Sequence, residues 1–193
     1  MQYVKASKQL LVRAYSTAVP AVVQYAPSLR WTHWIMGGLI VGNIGSVKLA
    51  QWTEDKEKKM QYMHIHKSLA LIILAMLPIR IGLRLTTKLP KALPGNALEK
   101  LAGNLNHYAL YAGMTILPIS GVTMGYFGGK GLPFFSYHIK GATETQPEIA
   151  KTAFKIHKLT GQVMTYLVPL HIAAAGYHVA RGHYIFHRMN PFV

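Results

Sequence analysis

Four histidines lie in otherwise apolar stretches of the chain and are the residues best suited to chemistry. His33 and His66 each begin one apolar stretch, and His157 and His171 share another. Fourteen residues of α-helix turn through about 1400°, so His157 and His171 lie within about 40° on one helix face and about 21 Å apart along the axis. That spacing places two imidazoles near opposite sides of a membrane. Because imidazoles serve as axial ligands of haem iron, two partner histidines on neighbouring helices would complete two bis-histidine sites.

The elements that must position these histidines are four long apolar runs. They cover residues 31–50, 66–85, 106–127 and 157–180. Each has about the 20 residues that a transmembrane helix needs. Three of them contain an internal proline, which membrane helices tolerate because neighbouring groups satisfy the freed carbonyls; these are Pro78, Pro118 and Pro169. The sequence therefore predicts an all-α fold, a membrane four-helix bundle with two bis-histidine haem b sites.

Composition agrees with a membrane protein. Charged residues make up 14% of the 193 residues and hydrophobic residues 51%, whereas an average soluble domain is about 25% charged. The chain has no cysteine, which excludes disulfides and covalent haem attachment through C-x-x-C-H. The net charge of +15 is spread over loops on both faces of the predicted bundle. A nucleic-acid partner is therefore not expected, because its binding needs a clustered basic surface.

The direction of each predicted helix pairs the histidines by depth. The first helix starts at His33 on the side of the chain termini, and the second starts at His66 on the far side. The last predicted helix starts on the far side at His157 and reaches the terminal side at His171. Depth thus pairs His66 with His157, and His33 with His171. A single intramembrane histidine more often forms a hydrogen bond within a bundle, and His64 leaves an alternative register for His66.

The N-terminal segment has a separate character, which divides the chain into an arm of residues 1–27 and a domain of residues 28–193. The arm contains Lys5, Lys8 and Arg13, and no acid precedes Glu54. This pattern is typical of a mitochondrial transit peptide. A retained basic arm on the membrane surface and a disordered basic tail are the alternatives. The lysines and arginines are divided almost equally between the two faces, but all six arginines lie on the terminal side, which favours matrix or cytoplasm for that side.

Several short motifs occur in one order along residues 25–191. They are Arg30-Trp31-Thr32-His33-Trp34, His66-Lys67-Ser68, Arg80-Ile81-Gly82-Leu83-Arg84-Leu85, Leu117-Pro118-Ile119-Ser120-Gly121, His157 with Gly161, and His171-Ile172-Ala173-Ala174-Ala175 with His178. In this order they resemble the bacterial-type cytochrome b561 family, the four-helix dihaem proteins related to the cytochrome b subunits of hydrogenases and formate dehydrogenases. The resemblance implies haem ligands at His33, His66, His157 and His171.

The resemblance also implies roles for residues that are not ligands. His107 and His178 match family histidines that do not bind iron, and we expect them to bond a haem propionate, a quinone or backbone carbonyls. Arg30 and Arg84 lie at the membrane edge, where arginine can pair with a propionate in bidentate fashion. Extension of each arginine towards the lipid headgroups is the alternative.

The function expected from these features is transmembrane electron transfer through two b-type haems. Quinol is the expected donor, with ubiquinone an open second cofactor, and quinol oxidoreductase activity stays open. The expected partners are the lipid bilayer, the quinone pool and other subunits of a respiratory complex in the mitochondrial inner membrane. The alternatives are a structural subunit without an essential redox role, and a free-standing cytochrome b561 in a bacterial plasma membrane.

Overall fold

The computed structural model describes residues 23–192, which form five α-helices and one β-hairpin. The elements are α1 (Pro27–Trp52), α2 (Lys56–Thr86), α3 (Ala97–Phe127), β1 (Leu132–Phe134), β2 (Tyr137–Ile139), α4 (Pro147–Ala180) and α5 (Ile185–Met189). The predicted helical membrane bundle is confirmed. The predictions for the N-terminal arm fall mainly on residues 1–22, which lie outside the described residues.

Local sequence signals set the ends of the long helices. Asp55 caps α2 by accepting hydrogen bonds from the backbone N–H groups of Glu57 and Lys58. Asn96 caps α3 in the same way through the N–H of Glu99. Side-chain oxygens at this position satisfy N–H groups that have no partner within the helix. These caps fix where the chain re-enters the bundle after each loop.

Among residues 23–192, three helices are long and apolar enough to cross a membrane: α2, α3 and α4. Each continues through its internal proline. The 26 residues of α1 are also long enough, at about 1.5 Å per residue. However, α1 contains Asn43, Lys48 and four glycines, which lower its hydropathy. The prediction that each apolar run is long and apolar enough to span a membrane is therefore confirmed for three of the four runs, and α1, which falls short in hydropathy, packs along α2 as part of the bundle.

The longest loop differs from the sequence prediction. From the sequence, residues 143–155 are predicted to hold a short surface helix; in the structure, residues 147–155 are instead the beginning of α4, which has Pro147 in its first turn and continues without a break. The sequence also predicts a short amphipathic turn around residues 98–101, and in the structure these residues belong to the start of α3. The loop also contains the β1–β2 hairpin, with Leu132 opposite Ile139, which was not predicted from the sequence.

The helices pack as two antiparallel pairs, α1 with α2 and α3 with α4, and α2 also contacts α3. Met36, Ile73 and Leu77 form the centre of the buried cluster. Many large apolar side chains remain exposed on all the long helices. A continuous apolar exterior of this extent is expected where the solvent is lipid. We call the end of the bundle that carries the β-hairpin the hairpin end, and the opposite end the terminal end.

The C-terminal segment folds back over the start of α1 at the terminal end. The Arg30 side chain is buried and donates to the Asn190 carbonyl at 2.6 Å and to Gln24 Oε1 at 2.8 Å. Trp34 Nε1 donates to the Met189 carbonyl at 2.7 Å. The backbone N–H of Tyr25 donates to the carbonyl of Arg188. The two ends of the described chain are thereby joined.

We expect Arg30→Met to loosen this junction, because it leaves the Asn190 carbonyl without its charged donor. A hydrogen bond to a charged group contributes about 1.5–3 kcal/mol, so the thermal unfolding midpoint should fall. Hydrogen exchange of residues 185–192 should rise at the same time. Lys100→Met, which removes an exposed charge at the same end, should change neither. Equal exchange in the two variants would contradict the assigned role of Arg30.

Candidate functional site

The four predicted histidines meet in two pairs, one at each end of the bundle. At the terminal end, His33 of α1 faces His171 of α4, and their ring centroids are 6.1 Å apart. At the hairpin end, His66 of α2 faces His157 of α4, also at 6.1 Å. The structure thus brings together the residues that were paired by depth. We call them the terminal-end pair and the hairpin-end pair.

The separation within each pair leaves room for one metal ion. Two imidazoles that bind a metal from opposite sides, each through a bond of about 2 Å, have ring centroids about 6.4 Å apart. Both observed separations are close to this value. Residues 23–192 contain no group of three or more His, Cys, Asp or Glu side chains that could hold a bare metal ion. Two imidazoles suffice for haem, because the macrocycle supplies the other nitrogens.

Backbone carbonyls orient both rings of the hairpin-end pair. His66 Nδ1 lies 3.2 Å from the Asn43 carbonyl oxygen, and His157 Nδ1 lies 2.9 Å from that of Leu117. A carbonyl can only accept, so each Nδ1 carries the proton. The Nε2 lone pair of each ring is then available to a metal, which is the usual arrangement for metal-binding histidines.

Helix α3 supports the His157 ring from the side. Ser120 is buried, and its Oγ lies 3.2 Å from His157 Nδ1 while donating to the Ile116 carbonyl. A Cβ atom added to Gly121 would lie 3.3 Å from His157 Cε1. A glycine at this position therefore lets α3 approach the ring closely.

The terminal-end pair has a different environment. A third histidine, His107 of α3, has its ring centroid 5.3 Å from that of His171, and its Nδ1 lies 2.7 Å from the Gly103 carbonyl oxygen. Arg80 of α2 places its guanidinium 3.1 Å from His33 Nδ1. The same side chain donates more weakly, at 3.4 Å, to Leu29 and Thr32.

The bundle is wide where the histidines meet. Among the described residues, α4 makes few close backbone contacts with α1 or α2, although the histidine rings bridge these helices. A Cβ added to Gly37, one turn after His33, or to Gly45 would meet no atom within 4 Å. Asn106 Nδ2, beside His107 in sequence, is buried without a partner within residues 23–192. These features fit a flat cofactor that bears carboxylates. The open space would admit the ring, the paired imidazoles would bind its metal, and a buried N–H donor could bind a carboxylate.

The remaining predicted site residues are Arg30, Arg84 and His178. Arg30 binds Gln24 and the C-terminal segment, as described above. Arg84 lies half-buried in the last turn of α2. His178 Nδ1 lies 3.0 Å from Nδ1 of His183, and the two rings are stacked. The structure therefore gives Arg30 and His178 protein partners other than the paired histidines, whereas it places His107 beside the terminal-end pair.

Other contributors were not singled out by sequence reasoning. Ser68, two residues after His66, is fully buried and accepts from the backbone N–H of Phe135 in the hairpin. His64 Nε2 lies 2.9 Å from the Phe135 carbonyl oxygen, so residues on both sides of His66 hold the hairpin over α2. The carbonyl that contacts His66 belongs to the backbone of Asn43, so the side-chain type at position 43 carries no signal for this contact.

An ion pair joins α3 and α4 at the terminal end. Arg181 donates to Glu99 Oε1 at 2.8 Å and to the Tyr177 hydroxyl at 3.0 Å. The Tyr177 hydroxyl, followed by Glu99, raises the pKa of Arg181 above its ordinary value. Glu99 is the one acid that residues 23–192 place at this end, and it lies beside a cation. The other described acids lie in the loops and helix starts of the hairpin end.

Comparison with known proteins places this arrangement in a family. A family model described as prokaryotic cytochrome b561 matches residues 24–191. A Yersinia pestis protein named probable superoxide oxidase CybB is 25% identical over 154 residues, covering 79% of this chain and 85% of that protein. The cytochrome b561 homolog 1 of Escherichia coli strain K12 is 22% identical over 157 residues, covering 80% and 87%.

The match spans all the long helices, both histidine pairs and the hairpin. Members of this family are helical membrane proteins that bind b-type haem. The donor set described above, paired imidazoles without cysteine, suits haem that is held by axial ligation alone. The chain belongs to the prokaryotic cytochrome b561 family and is a multi-pass membrane haem protein of electron transport.

Proposed function

We propose that the chain carries electrons across a membrane through two b-type haems, one held by each histidine pair. The observation that supports this most strongly is the equal 6.1 Å separation in the two pairs. Because both pairs share α4, with histidines 14 residues apart, they lie about 21 Å apart along its axis. Two redox centres at this separation would give electrons a path through most of the hydrocarbon core.

The chain's own residues would hold and orient each haem. His33 and His171 would supply the axial nitrogens at the terminal end, and His66 and His157 those at the hairpin end. The carbonyls of Asn43 and Leu117 keep the Nδ1 protons in place and leave Nε2 free. With two histidines on each iron, a bound haem would supply a one-electron couple that suits electron transfer rather than oxygen binding.

Quinol is the first candidate donor, drawn from the quinone pool of the membrane, with ubiquinone as the corresponding cofactor. The name of the Yersinia pestis relative provides a second candidate, superoxide. The net charge of +15 supports it, because a strongly basic surface attracts a small anion. Anaerobic mixing of the ferric protein with quinol, and separately with a superoxide source with and without superoxide dismutase, would distinguish the two donors.

We propose that the chain acts as a free-standing cytochrome in a plasma membrane of the bacterial type. The curated relatives are bacterial proteins of similar length, which supports this alternative over a subunit of a mitochondrial complex. The mitochondrial prediction depends on the N-terminal arm and stays a prediction. Purification of the full chain as a monomer or homodimer with quinol-oxidising activity would support the free-standing form, and co-purification with other subunits would contradict it.

Haem stoichiometry tests the proposal directly. We expect about two low-spin b-type haems per chain, measured as the pyridine haemochrome against protein concentration and by electron paramagnetic resonance. His66→Ala should remove one haem, because it deletes an axial ligand. His64→Ala, two residues away, should retain both and serves as the matched control. A chain with one haem, or with a high-spin ferric signal, would overturn the proposal.

A further inference from the structure

The two histidine pairs differ in what their Nδ1 atoms contact. At the hairpin end, both Nδ1–H groups donate to backbone carbonyls. Such bonds raise the basicity of the ligating nitrogen, which favours ferric over ferrous iron. At the terminal end, His33 Nδ1 faces the Arg80 guanidinium at 3.1 Å instead. A guanidinium has no acceptor, so it cannot support an Nδ1 proton as the carbonyls do.

The charged side chains around the two pairs also differ, and they too favour ferrous iron more at the terminal end than at the hairpin end. Arg80 is close enough to act electrostatically on His33, His107 and His171, and Arg84 acts on His107. At the hairpin end, Lys67 acts on His66, and five of the six acids of the chain lie at that end, namely Glu54, Asp55, Glu57, Glu144 and Glu148. The one acid at the terminal end, Glu99, is paired with Arg181. Among residues 23–192, the terminal end carries eight arginines and lysines against this one acid, whereas the hairpin end carries ten lysines against its five acids, so the terminal end is the more positive of the two.

The sign of the effect follows from the charge of the iron. Ferric haem carries one more positive charge than ferrous haem, so a nearby cation favours the ferrous form and raises the midpoint potential. Arg80 is half-buried, where screening by water is weaker than at the surface. The same sign holds if the guanidinium pairs with a haem carboxylate, because the cation then still lies beside the haem.

We propose that Arg80 makes the haem of the terminal-end pair the high-potential one, so that electrons enter at the hairpin end and leave at the terminal end. This inference rests on the proposed function, since it requires both haems. It assigns Arg80 a positioning role: it contacts the ring of an axial ligand and sets the direction of transfer. The overall step moves one electron from the ferrous haem at the hairpin end to the ferric haem at the terminal end.

A redox titration of the full-length protein in lipid nanodiscs tests the proposal. We expect two midpoint potentials, with the higher one at the terminal end. Arg80→Met should lower the ferrous-to-ferric ratio of that haem about tenfold at a given applied potential, which is about 59 mV for a one-electron couple. The midpoint potential of the haem at the hairpin end should not change. Arg80→Lys, which keeps the charge, should retain most of the difference.

A matched control and a spin label complete the design. Lys88→Met removes one exposed charge at the same end and should leave both potentials unchanged. The chain has no cysteine, so a single nitroxide can be attached after Ser136→Cys in the exposed hairpin turn. Faster relaxation of that label when a given haem is ferric assigns that haem to the hairpin end.

The outcomes distinguish a failure of this inference from a failure of the proposed function. A higher potential at the hairpin end overturns the inference, as does a terminal-end potential that stays the same or rises in Arg80→Met. A wild-type protein that binds fewer than two haems overturns the proposed function itself. Both proposals are supported if the protein binds two haems and the terminal-end haem has the higher potential. In addition, that potential alone should fall in Arg80→Met, and neither potential should change in Lys88→Met.

Discussion

His171→Ala is expected to remove the haem at the terminal end and to leave the other haem in place. His171 faces His33 across 6.1 Å, and the variant leaves His33 without a partner on the opposite side of the iron. His157→Ala should do the reverse, because His157 pairs with His66 at the other end. Each variant should bind about one haem per chain, and the two should retain haems with different potentials.

Each of these variants should also be less stable than the wild type. We expect each haem to fill space between helices that make few close contacts, and an unfilled cavity costs about 24 cal/mol per Å³. The haemochrome assay measures occupancy, and the thermal midpoint measures stability. His187→Ala, which changes an exposed histidine near the C-terminus, is the control and should retain both haems. If both ligand variants lost the same haem, or if neither lost any, the pairing would be wrong.

Gly113→Leu is expected to cause a large loss of bundle stability outside the histidine pairs. Gly113 of α3 and Met164 of α4 are both buried. A Cβ on Gly113 would overlap Met164 Sδ and lie 2.8 Å from its Cγ. A leucine adds further atoms at a contact that does not accommodate even one. Overpacking typically costs about 1–3 kcal/mol, and we expect a loss at the upper end of this range.

The displacement should reach both haem sites, because α4 carries one ligand of each pair. We therefore expect Gly113→Leu to lower haem content at both ends, unlike the histidine variants. Gly176→Leu is the matched control, since Gly176 lies exposed on α4 and an added Cβ there meets no atom within 4 Å. Denaturation in mild detergent, followed by absorbance and circular dichroism, measures both effects. Selective loss of one haem in Gly113→Leu would contradict the role of this contact.

The sequence by itself determined the relations within single helices. The apolar runs identified the helices, and the spacing of 14 residues placed His157 and His171 on one face of α4. These conclusions need only the period of 3.6 residues and the rise of 1.5 Å. Alternating helix direction then gave the depth of each histidine, and the structure brings together the pairs matched in this way. Their role as haem ligands stays a prediction.

Local signals were less reliable where a helix begins or where the chain is not helical. The start of α4 at Pro147 was predicted as a separate surface helix, because the charged residues before His157 resemble a loop-facing segment. The hairpin was missed because its strands have three residues each. Such short strands carry no detectable alternation, and their pairing depends on contacts with α2 through Ser68 and His64.

Tertiary structure alone decided which polar groups serve the histidine pairs. Arg30 and Arg80 are both arginines near the terminal end, and the sequence favoured Arg30 as a partner of the cofactor. In the structure, Arg30 binds the C-terminal segment, whereas Arg80 faces His33. The physical reason is that the rotation of one helix about its axis relative to another depends on side-chain packing between them. Helical periodicity gives the faces of each helix separately, but not which faces meet.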